Sequence, residues 1–373
     1  MAVHGQGLQF GAFRLVPSLA TSTEYTDNVF LGPRDTESDF TYTISPGLAL
    51  EYQRPPTFLS LGYRADILRY VEQDEFNAVH HTVLASGRTE VGRRLKLSVD
   101  DQFRRTTDFV GQPVPELAER VARFENALKA DVEYFVVERF GVGFGYRFFV
   151  VDYQAADFDA LDRQDHLGAV NLFYRIFPRT SVFVEYGYQV VRYDIGAVAE
   201  TRDSEAHKGQ LGVRGDLTAK TTLQFKAGAE RKDFDDPTQP DFEGFIMEGE
   251  AIWRYREPSQ VRVFVSRANL ESTAAGTNTY VTTYGGLEVR HTLGRQWLVT
   301  LVGLAGVADY PRSTTVAGEE RLDRFYAAGI GIRYQFRPWL GVEVGYQLQV
   351  RNSNIEDFDF TEDRVRAGVI LTY

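Results

Sequence analysis

The sequence of 373 residues contains no cysteine. Neither a disulfide framework nor a thiolate metal site can therefore form. Long apolar runs are missing too, because no stretch approaches the ~20 residues that a membrane-spanning helix needs. The charge balance argues against nucleic acid as a partner, since 41 basic residues face 52 acidic ones and the formal net charge is -11.

Signals that divide or target a chain are equally scarce. The sequence has no Ser/Gly-rich linker, no charge block and no shift of composition along its length. We therefore expect residues 1–373 to form a single domain. Met1-Ala2-Val3-His4 lacks the basic and apolar regions of a secretory signal peptide, so we expect the chain to be a mature form.

What the sequence does contain is a short turn signal about every 40 residues. Each signal separates two stretches in which apolar residues alternate with polar ones or glycine. The eight signals are Arg54-Pro55-Pro56, Arg93-Arg94, Glu138-Arg139, Pro178-Arg179, Ala219-Lys220, Pro258-Ser259, Gly294-Arg295 and Arg337-Pro338. Eight short turns join sixteen strands, and one further strand at each terminus makes about eighteen.

The alternation is clearest from Leu340 to Arg351, where every second residue is apolar. This pattern is typical of a strand with one face in lipid and the other in water. The stretch from Trp297 to Asp309 is apolar at both kinds of position, so its two faces cannot be assigned from the sequence.

These strands predict an all-β fold, a transmembrane antiparallel up-and-down β-barrel of about 18 strands in a bacterial outer membrane. A propeller would need four short strands in each period. The strands of a soluble sandwich are usually nearer ~5–6 residues. In outer-membrane barrels the short turns are periplasmic, so an even strand number places both termini in the periplasm.

The polar faces of the predicted strands carry charges of both signs. We predict that the following fourteen residues line the lumen: Arg64, Asp66, Arg88, Lys96, Arg147, Arg175, Arg214, Lys226, Glu248, Arg254, Arg262, Arg333, Glu343 and Arg364. Such a set favours a water-filled, slightly basic interior, because unpaired charges in a dry one would be too costly. The alternative for any single residue is a pair with an opposite charge on a neighbouring strand.

The connection from Thr106 to Val121 differs from the other long connections. Pro115 stands just ahead of Glu116-Leu117-Ala118-Glu119-Arg120, which predicts a helix start. A segment of this kind can fold into the lumen and narrow it. A surface helix, or a next strand that begins later, are the alternatives.

Aromatic residues near both ends of the strands predict girdles at the two membrane interfaces. Those beside the turns are Tyr52, Phe58, Phe140, Phe177, Tyr255, Trp297, Phe336 and Trp339. Those at the other strand ends are Tyr70, Tyr153, Tyr193, Phe234 and Tyr310. The alternating C-terminal stretch ending at Tyr373 resembles the signal by which outer-membrane proteins are recognised for insertion.

Catalytic signals are weak. Asp165-His166 and Glu205-Ala206-His207 are the candidate acid–histidine pairs. No Ser–His–acid arrangement is brought together by the predicted strands, so we expect no enzymatic activity, no metal site and no cofactor.

Three motifs in the N-terminal third carry a resemblance to a known family. Tyr25-Thr26-Asp27-Asn28-Val29-Phe30 is followed by Ser45-Pro46-Gly47-Leu48 and then by Leu61-Gly62-Tyr63-Arg64-Ala65-Asp66. This series resembles the outer-membrane β-barrel porins associated with exopolysaccharide and capsule export. The similarity of motifs ends near residue 70.

The resemblance implies a channel through which a secreted polysaccharide crosses the outer membrane, together with a periplasmic export partner. Outer-membrane lipid and lipopolysaccharide would surround the barrel. A diffusion porin or a substrate-specific porin for small solutes is the alternative. Both functions need the same polar and aromatic surfaces, so the sequence leaves both open.

Overall fold

A computed structural model describes residues 7–111, 113, 115–116, 119–194, 202–237, 239–273, 277–311 and 320–373. These residues form a short strand, β1 (Leu8–Phe10), and eighteen long strands. The long strands are β2 (Phe13–Thr26), β3 (Asp39–Arg54), β4 (Thr57–Tyr70), β5 (Ala78–Val91), β6 (Leu95–Thr106), β7 (Arg123–Phe135), β8 (Phe140–Tyr153), β9 (Arg163–Phe177), β10 (Thr180–Tyr193), β11 (Ser204–Asp216), β12 (Thr221–Phe234), β13 (Phe242–Arg256), β14 (Ser259–Glu271), β15 (Thr279–Leu293), β16 (Trp297–Tyr310), β17 (Arg321–Arg337), β18 (Leu340–Ser353) and β19 (Phe360–Thr372).

Helical structure is limited to short 3-10 segments at Asp74–Phe76, Ala156–Leu161 and Glu356–Phe358 in the part of the chain that the structure describes. No helix among the described residues is long and apolar enough to cross a membrane.

The long strands form one closed ring. Each is antiparallel to the next, and the ring closes where β19 pairs with β2, from Arg364 opposite Thr26 to Thr372 opposite Ser18. A closed ring gives each strand a neighbour on both sides and removes the free sheet edge. The prediction of an antiparallel barrel of about eighteen strands is confirmed.

The two rims of the barrel differ in the length of their connections. All eight turns predicted from the sequence are present, and each has two to four residues between strands. The nine connections at the other rim are longer, from six residues (354–359) to sixteen (107–122). We call these rims the turn side and the loop side.

Successive side chains of each strand alternate between the two faces of the wall. One face carries exposed hydrophobic residues such as Leu61, which is 54% exposed, and Val344, which is 56% exposed. We call this the outward face and the other the inward face. The register also settles β16, because Thr300 lies opposite Arg290 and the even-numbered residues therefore point inward.

The predicted girdles are found on one rim only. On the turn side, Phe140, Trp297, Phe336 and Trp339 are exposed, whereas Phe58 lies opposite the inward-facing Arg88 and points inward. On the loop side the prediction is wrong, because all five residues, Tyr70, Tyr153, Tyr193, Phe234 and Tyr310, lie on the inward face. The interior offers hydrogen-bond partners for tyrosine hydroxyls at this rim, whereas lipid chains do not. The Tyr193 hydroxyl, for example, donates a hydrogen bond to Glu271 at 3.0 Å.

Strands β13 and β14 separate at the loop side. The last pair that they form is Met247 opposite Arg267, although β14 stays paired with β15 up to its end. Beyond the separation the β14–β15 hairpin leans inward. Its Glu271 carboxylate contacts Lys232 and Tyr193, which point inward from β12 and β10. The loop-side end of β14, at Glu271, therefore belongs to the interior rather than to the wall.

Candidate functional site

The barrel interior is the candidate site, because it gathers the charges that the sequence places on the polar faces of the strands. All fourteen of the residues predicted to line a lumen lie on the inward face, as their cross-strand partners show. Their role in solute passage stays a prediction.

Three ion pairs form within this set of fourteen residues. Arg64 Nε lies 3.0 Å from Asp66 Oδ2, Arg333 Nη2 lies 2.6 Å from Glu343 Oε2, and Lys226 Nζ lies 3.7 Å from Glu248 Oε2. Other members of the set meet carboxylates outside it, in the pairs Arg88–Asp100, Lys96–Glu90, Arg147–Asp131, Arg214–Glu133, Arg262–Glu250 and Arg364–Glu362. Nine of the eleven cations in the set therefore have a carboxylate partner.

Two arginines of the set find other partners. The Arg175 guanidinium lies 4.4 Å from the centroid of the Phe135 ring, and Arg254 donates from Nη1 to Thr222 Oγ1 at 2.8 Å. Neither has an ion pair with a described carboxylate. A cation over an aromatic face gains modest electrostatic attraction while remaining reachable by water.

The interior is open on one side. A cavity of about 1010 Å³ lies against the inward faces of β2–β6 and β17–β19. Cations such as Arg14 and Arg366 and carboxylates such as Glu24 and Glu51 line it, with serine and threonine hydroxyls between them. This lining offers both hydrogen-bond donors and acceptors, so it suits polar solutes of either charge.

The other side of the interior is filled with side chains. Phe135, Phe173 and Phe183 form a buried cluster on the inward faces of β7, β9 and β10. Arg214 of β11 covers the rings of Phe173 and Phe183, and its Nη1 lies 2.5 Å from Oε1 of Glu133 on β7. Since β11 is four strands beyond β7 in the ring, this ion pair joins separate parts of the wall and closes the space between them.

Glycines make room for the aromatic cluster. A Cβ atom at Gly212 would lie 2.3 Å from Phe183 Cζ, and one at Gly141 would lie 2.3 Å from two ring atoms of Phe173. Both distances are too short for non-bonded atoms. The cluster therefore requires residues without a side chain at these two positions.

The connection between β6 and β7, which we call the crossing segment (107–122), reaches across the interior. Its residues Pro113 and Pro115 lie beside the inward-facing Tyr280, Tyr310 and Phe325 of β15, β16 and β17. These strands are eight to ten positions beyond β7 in the ring. The crossing segment thus spans most of the width of the barrel.

The predicted helix in the crossing segment is wrong for the described residues. Pro115, Glu116 and Glu119 are not helical, and Arg120 forms an isolated bridge with Phe109. Arg351 donates a hydrogen bond to the carbonyl of Pro115, and Arg321 donates one to the carbonyl of Glu116. These carbonyls therefore have partners other than the amides of a helix. Gln112, Val114, Leu117 and Ala118 lie outside the described residues.

Glu116 links the crossing segment to the tip of the β14–β15 hairpin. Its side chain is buried, and the whole residue is 3% exposed. Oε2 accepts hydrogen bonds from the backbone N–H of Thr273 at 3.0 Å and from the Thr273 hydroxyl at 2.8 Å, and Oε1 accepts one from the Ser272 hydroxyl. We call these contacts the Glu116 bridge.

Two arginines of the wall hold the Glu116 bridge in place. Arg351 of β18 donates to the carbonyl of Pro115 at 2.5 Å, and Arg321 of β17 donates to that of Glu116 at 3.3 Å. Arg321 is fully buried and is neutralised by Asp323, whose Oδ2 lies 2.5 Å from Nη2. The carbonyls of Pro115 and Glu116 are therefore bonded to buried arginines of the wall, while the Glu116 carboxylate is bonded to the hairpin.

Asp108 ties the start of the crossing segment to the wall. Its Oδ2 lies 2.8 Å from Arg104 Nη2, and its Oδ1 lies 3.6 Å from His80 Nδ1. Burial raises the pKa of Asp108, but His80, the Thr106 hydroxyl and Arg104 lower it by more, so the pKa lies below its ordinary value. The carboxylate is therefore charged at neutral pH.

A family model described as "Putative beta-barrel porin 2" matches residues 2–373 of this sequence. The chain belongs to this porin family. Membership, together with the closed barrel, places the porin in the bacterial outer membrane and makes it a channel protein of that membrane.

Solved structures with a similar course of the chain share little sequence with the porin. The outer membrane protein opdK from Pseudomonas aeruginosa is 12% identical, with a TM-score of 0.49 over 96% of this chain and 99% of that one. OccAB3 from Acinetobacter baumannii is 8% identical, with a TM-score of 0.48 over 98% and 100% of the two chains. A structure titled "Bacterial polysaccharide outer membrane secretin" is 9% identical, with a TM-score of 0.37 over 96% and 98%. No curated protein matches the sequence.

Sequence reasoning missed the residues that organise the porin's interior. Glu271 gave no signal, because its partners Lys232 and Tyr193 lie 39 and 78 residues away. Phe173 and Phe183 did give a sequence signal, because each is a large aromatic residue on the polar face of its strand. Glu116 was noticed only as a helix former.

The two candidate acid–histidine pairs do not converge in the porin. Asp165 points inward and pairs with Arg163 at 3.2 Å, whereas His166 points outward and bonds to the Tyr146 hydroxyl at 2.8 Å. His207 and Glu205 both lie on the outward face, where each bonds to a different tyrosine of β10.

Proposed function

We propose that this porin is a passive channel for small polar solutes, with little preference for the sign of their charge. The observation that carries the proposal is the cavity of about 1010 Å³, whose inward-facing cations Arg14, Arg64 and Arg333 are paired with carboxylates. A lining of this kind hydrogen-bonds to neutral sugars and to zwitterions as readily as to ions.

The size of the open space supports a small solute. Cavities of ~300–1,000 Å³ are typical of sites that enclose small molecules. The crossing segment and the Glu116 bridge occupy the interior beside this cavity. An extended polymer would have to displace them, whereas a small solute needs only the space beside β2–β6.

The orientation that goes with this function has the loop side at the cell surface and both termini in the periplasm. The contrast between short turns and long connections supports it, because outer-membrane barrels carry their longer loops on the extracellular side. A peptide epitope inserted between Gln73 and Asp74 should be stained on intact cells. One inserted between Arg93 and Arg94 should be stained only after permeabilisation.

The function is tested by reconstitution. Purified porin in planar bilayers should give ohmic channels with weak ion selectivity, and porin in liposomes should admit sugars at rates that fall as their size increases. Glycine and glucose should enter at rates that reflect size alone. The control is the same preparation after thermal unfolding, which should admit neither.

Polysaccharide export is the other outcome of the same work, and the resemblance of residues 25–70 to export-associated porins supports testing it. A deletion strain would then lose its surface polysaccharide and keep normal uptake of small solutes. Closed liposomes together with lost surface polysaccharide would overturn the small-solute proposal.

A further inference from the structure

Several tyrosine hydroxyls on the outward face meet polar side chains near the loop side of the barrel. In four cases the partner is the fourth residue of the next strand, counted from the loop side. The pairs are Tyr63–His81, Tyr146–His166, Tyr186–His207 and Tyr346–Asp363, and the three hydroxyl–Nδ1 distances are 2.8, 2.8 and 2.7 Å. We call this set the outer polar belt.

The height of the outer polar belt fits an edge of the apolar membrane core. From His166 to the turn-side end of β9 at Phe177 the strand advances by eleven residues. At ~3.3 Å per residue and a tilt of ~40°, this corresponds to about 28 Å along the membrane normal. The lipid-facing band of outer-membrane barrels is ~25 Å tall. The belt therefore lies where hydrocarbon gives way to lipid head groups.

Two arginines stand at this edge without an acidic partner. Arg69 of β4 and Arg105 of β6 are exposed on the outward face, on either side of β5. Arg105 lies directly opposite His81 of the belt, and Arg69 lies opposite Tyr42 of β3. Among the described residues, neither guanidinium has a carboxylate within ion-pair distance. Each is hydrogen-bonded instead to a backbone carbonyl, that of Leu68 at 2.8 Å and that of Val79 at 3.4 Å.

Some of the other outward arginines at this rim are neutralised within the chain, whereas Arg267 of β14 and Arg324 of β17 have no described carboxylate within ion-pair distance. Arg231 Nε lies 2.9 Å from Asp233 Oδ1, and Arg192 Nη2 lies 3.0 Å from Glu205 Oε1. Lipid-facing charge is costly, so this pairing is expected. Arg69 and Arg105 differ from Arg267 and Arg324 because they flank the same strand, β5, and so place two cations without a carboxylate on one patch of the wall. Two such cations at the membrane edge favour a compensating negative charge from outside the chain.

The geometry points to a binding site for a phosphate group of lipopolysaccharide on the outward face of β3–β6, with Arg69 and Arg105 as the ligands. The inference rests on the proposed orientation, which puts the loop side in the outer leaflet. Guanidinium groups bind phosphate through paired, charge-assisted hydrogen bonds.

Apolar surface lies on the membrane side of this phosphate site. Leu61 and Val99 are exposed on the outward faces of β4 and β6, and Phe103 stacks on Phe124 with ring centroids 6.0 Å apart. Arg105 lies 6.0 Å from the Phe124 centroid. Two cations beside an apolar surface match an amphiphile that has an anionic head group and acyl chains. Free phosphate would contact only the two arginines.

The test compares three probes and two matched variants of the full-length porin in detergent. The probes are lipopolysaccharide with phosphorylated lipid A, the same lipopolysaccharide after enzymatic dephosphorylation, and inorganic phosphate. The double variant Arg69→Ala/Arg105→Ala removes the site. Arg231→Ala removes an outward arginine of the same rim that already has an acidic partner. Binding is followed by native mass spectrometry and by the shift of the unfolding temperature.

Wild-type porin and Arg231→Ala should bind phosphorylated lipopolysaccharide equally, and the double variant should bind it about tenfold or more weakly. Dephosphorylated lipopolysaccharide should bind all three at the level of the double variant. Inorganic phosphate should not shift the unfolding temperature. Equal binding by the double variant, equal loss in Arg231→Ala, or retention of the dephosphorylated lipid would each overturn the site. A shift with inorganic phosphate as large as that with the lipid would overturn the assignment to lipopolysaccharide.

Two further measurements keep these outcomes separate from folding and from the proposed function. The single variants Arg69→Ala and Arg105→Ala should each show a partial loss of binding if the double variant yields too little protein. Channel conductance of the double variant should equal that of the wild type, because both side chains point away from the lumen. Absence of channels in every variant would speak against the proposed function and leave the lipid binding as a separate result.

Discussion

Glu116, between β6 and β7, accepts a 2.8 Å hydrogen bond from the hydroxyl of Thr273, which lies between β14 and β15. Two connections from distant parts of the ring thus meet inside the barrel. The contact holds the crossing segment and the inward-leaning hairpin to each other. We expect the width of the passage at the loop side to depend on this buried carboxylate.

The first prediction concerns that carboxylate. Glu116→Ala removes the acceptor for groups of Ser272 and Thr273, and a buried donor left without its partner costs about 1–3 kcal/mol. We expect a higher single-channel conductance with more frequent transitions between levels in planar bilayers. Glu119→Ala is the matched control, because Glu119 is an exposed glutamate of the same segment. Equal conductance of Glu116→Ala and wild type would show that the bridge does not limit flow.

The second prediction concerns pH. The pKa of Asp108 lies below its ordinary value in the folded porin, so the carboxylate stabilises the crossing segment at neutral pH. A group with a lowered folded-state pKa loses this contribution only as the pH falls through that value, which is below the ordinary ~3.9 of aspartate. We expect constant conductance from pH 7 down to about 5 and a rise below about 4.

The variant Asp108→Asn isolates this effect from the protonation of other carboxylates. It should show, already at pH 7, part of the higher conductance that the wild type reaches only in acid. The measurement is single-channel conductance across a pH series for both proteins. If Asp108→Asn at pH 7 matches the wild type, the contact between Asp108 and Arg104 plays no part in holding the segment.

The third prediction tests the two faces of the wall. Val344→Arg places a charge in the middle of β18 on the outward face and should impair membrane insertion by about 2–4 kcal/mol. Gln347→Arg, on the inward face of the same strand, should be tolerated, because Gly329 opposite leaves space and Arg364 on the other side is neutralised by Glu362. The readout is the folded fraction in lipid vesicles, followed by the gel mobility of unheated samples. Similar losses in both variants would contradict the assignment of faces.

The fourth prediction tests the aromatic cluster through two glycines of β11. A methyl group at Gly212 would meet Phe183 at 2.3 Å and the carbonyl oxygen of Phe225 at 2.7 Å, whereas one at Gly209 would have no neighbour within 4 Å. Gly212→Ala should therefore destabilise the barrel by about 1–3 kcal/mol, as overpacking does. Gly209→Ala should leave stability nearly unchanged. Urea unfolding in vesicles gives both values, and equal midpoints would show that the space beside Phe183 is larger than the structure indicates.

Strand pattern and turn chemistry were sufficient to predict the wall. The eight short turns and the alternation from Leu340 to Arg351 depend on residues close in sequence, and both are observed. The inward and outward faces of β16 could not be predicted from the sequence, because Leu301 and Val302 are both apolar. Only the pairing with β15 shows which of them points inward. The local sequence pattern determines where a strand lies. Which of its residues point inward is determined by the strands that pair with it.

The contents of the interior could be predicted only in part. The alternation placed Arg214 inward, but nothing near it in sequence indicated Glu133 as its partner, 81 residues away. The helix predicted at Pro115 failed for the same reason. Local propensity at Glu116 was outweighed by Ser272 and Thr273, which reach it across the barrel.

The seam between β2 and β19 joins the two ends of the chain. Unpaired backbone N–H and C=O groups are costly in hydrocarbon. A molecule without its last strand would have two unpaired sheet edges instead of a closed barrel. Since the chain is synthesised from β2 to β19, β2 lacks its second neighbour until β19 has been made. Closure of the seam therefore makes stable residence in the bilayer depend on the presence of β19.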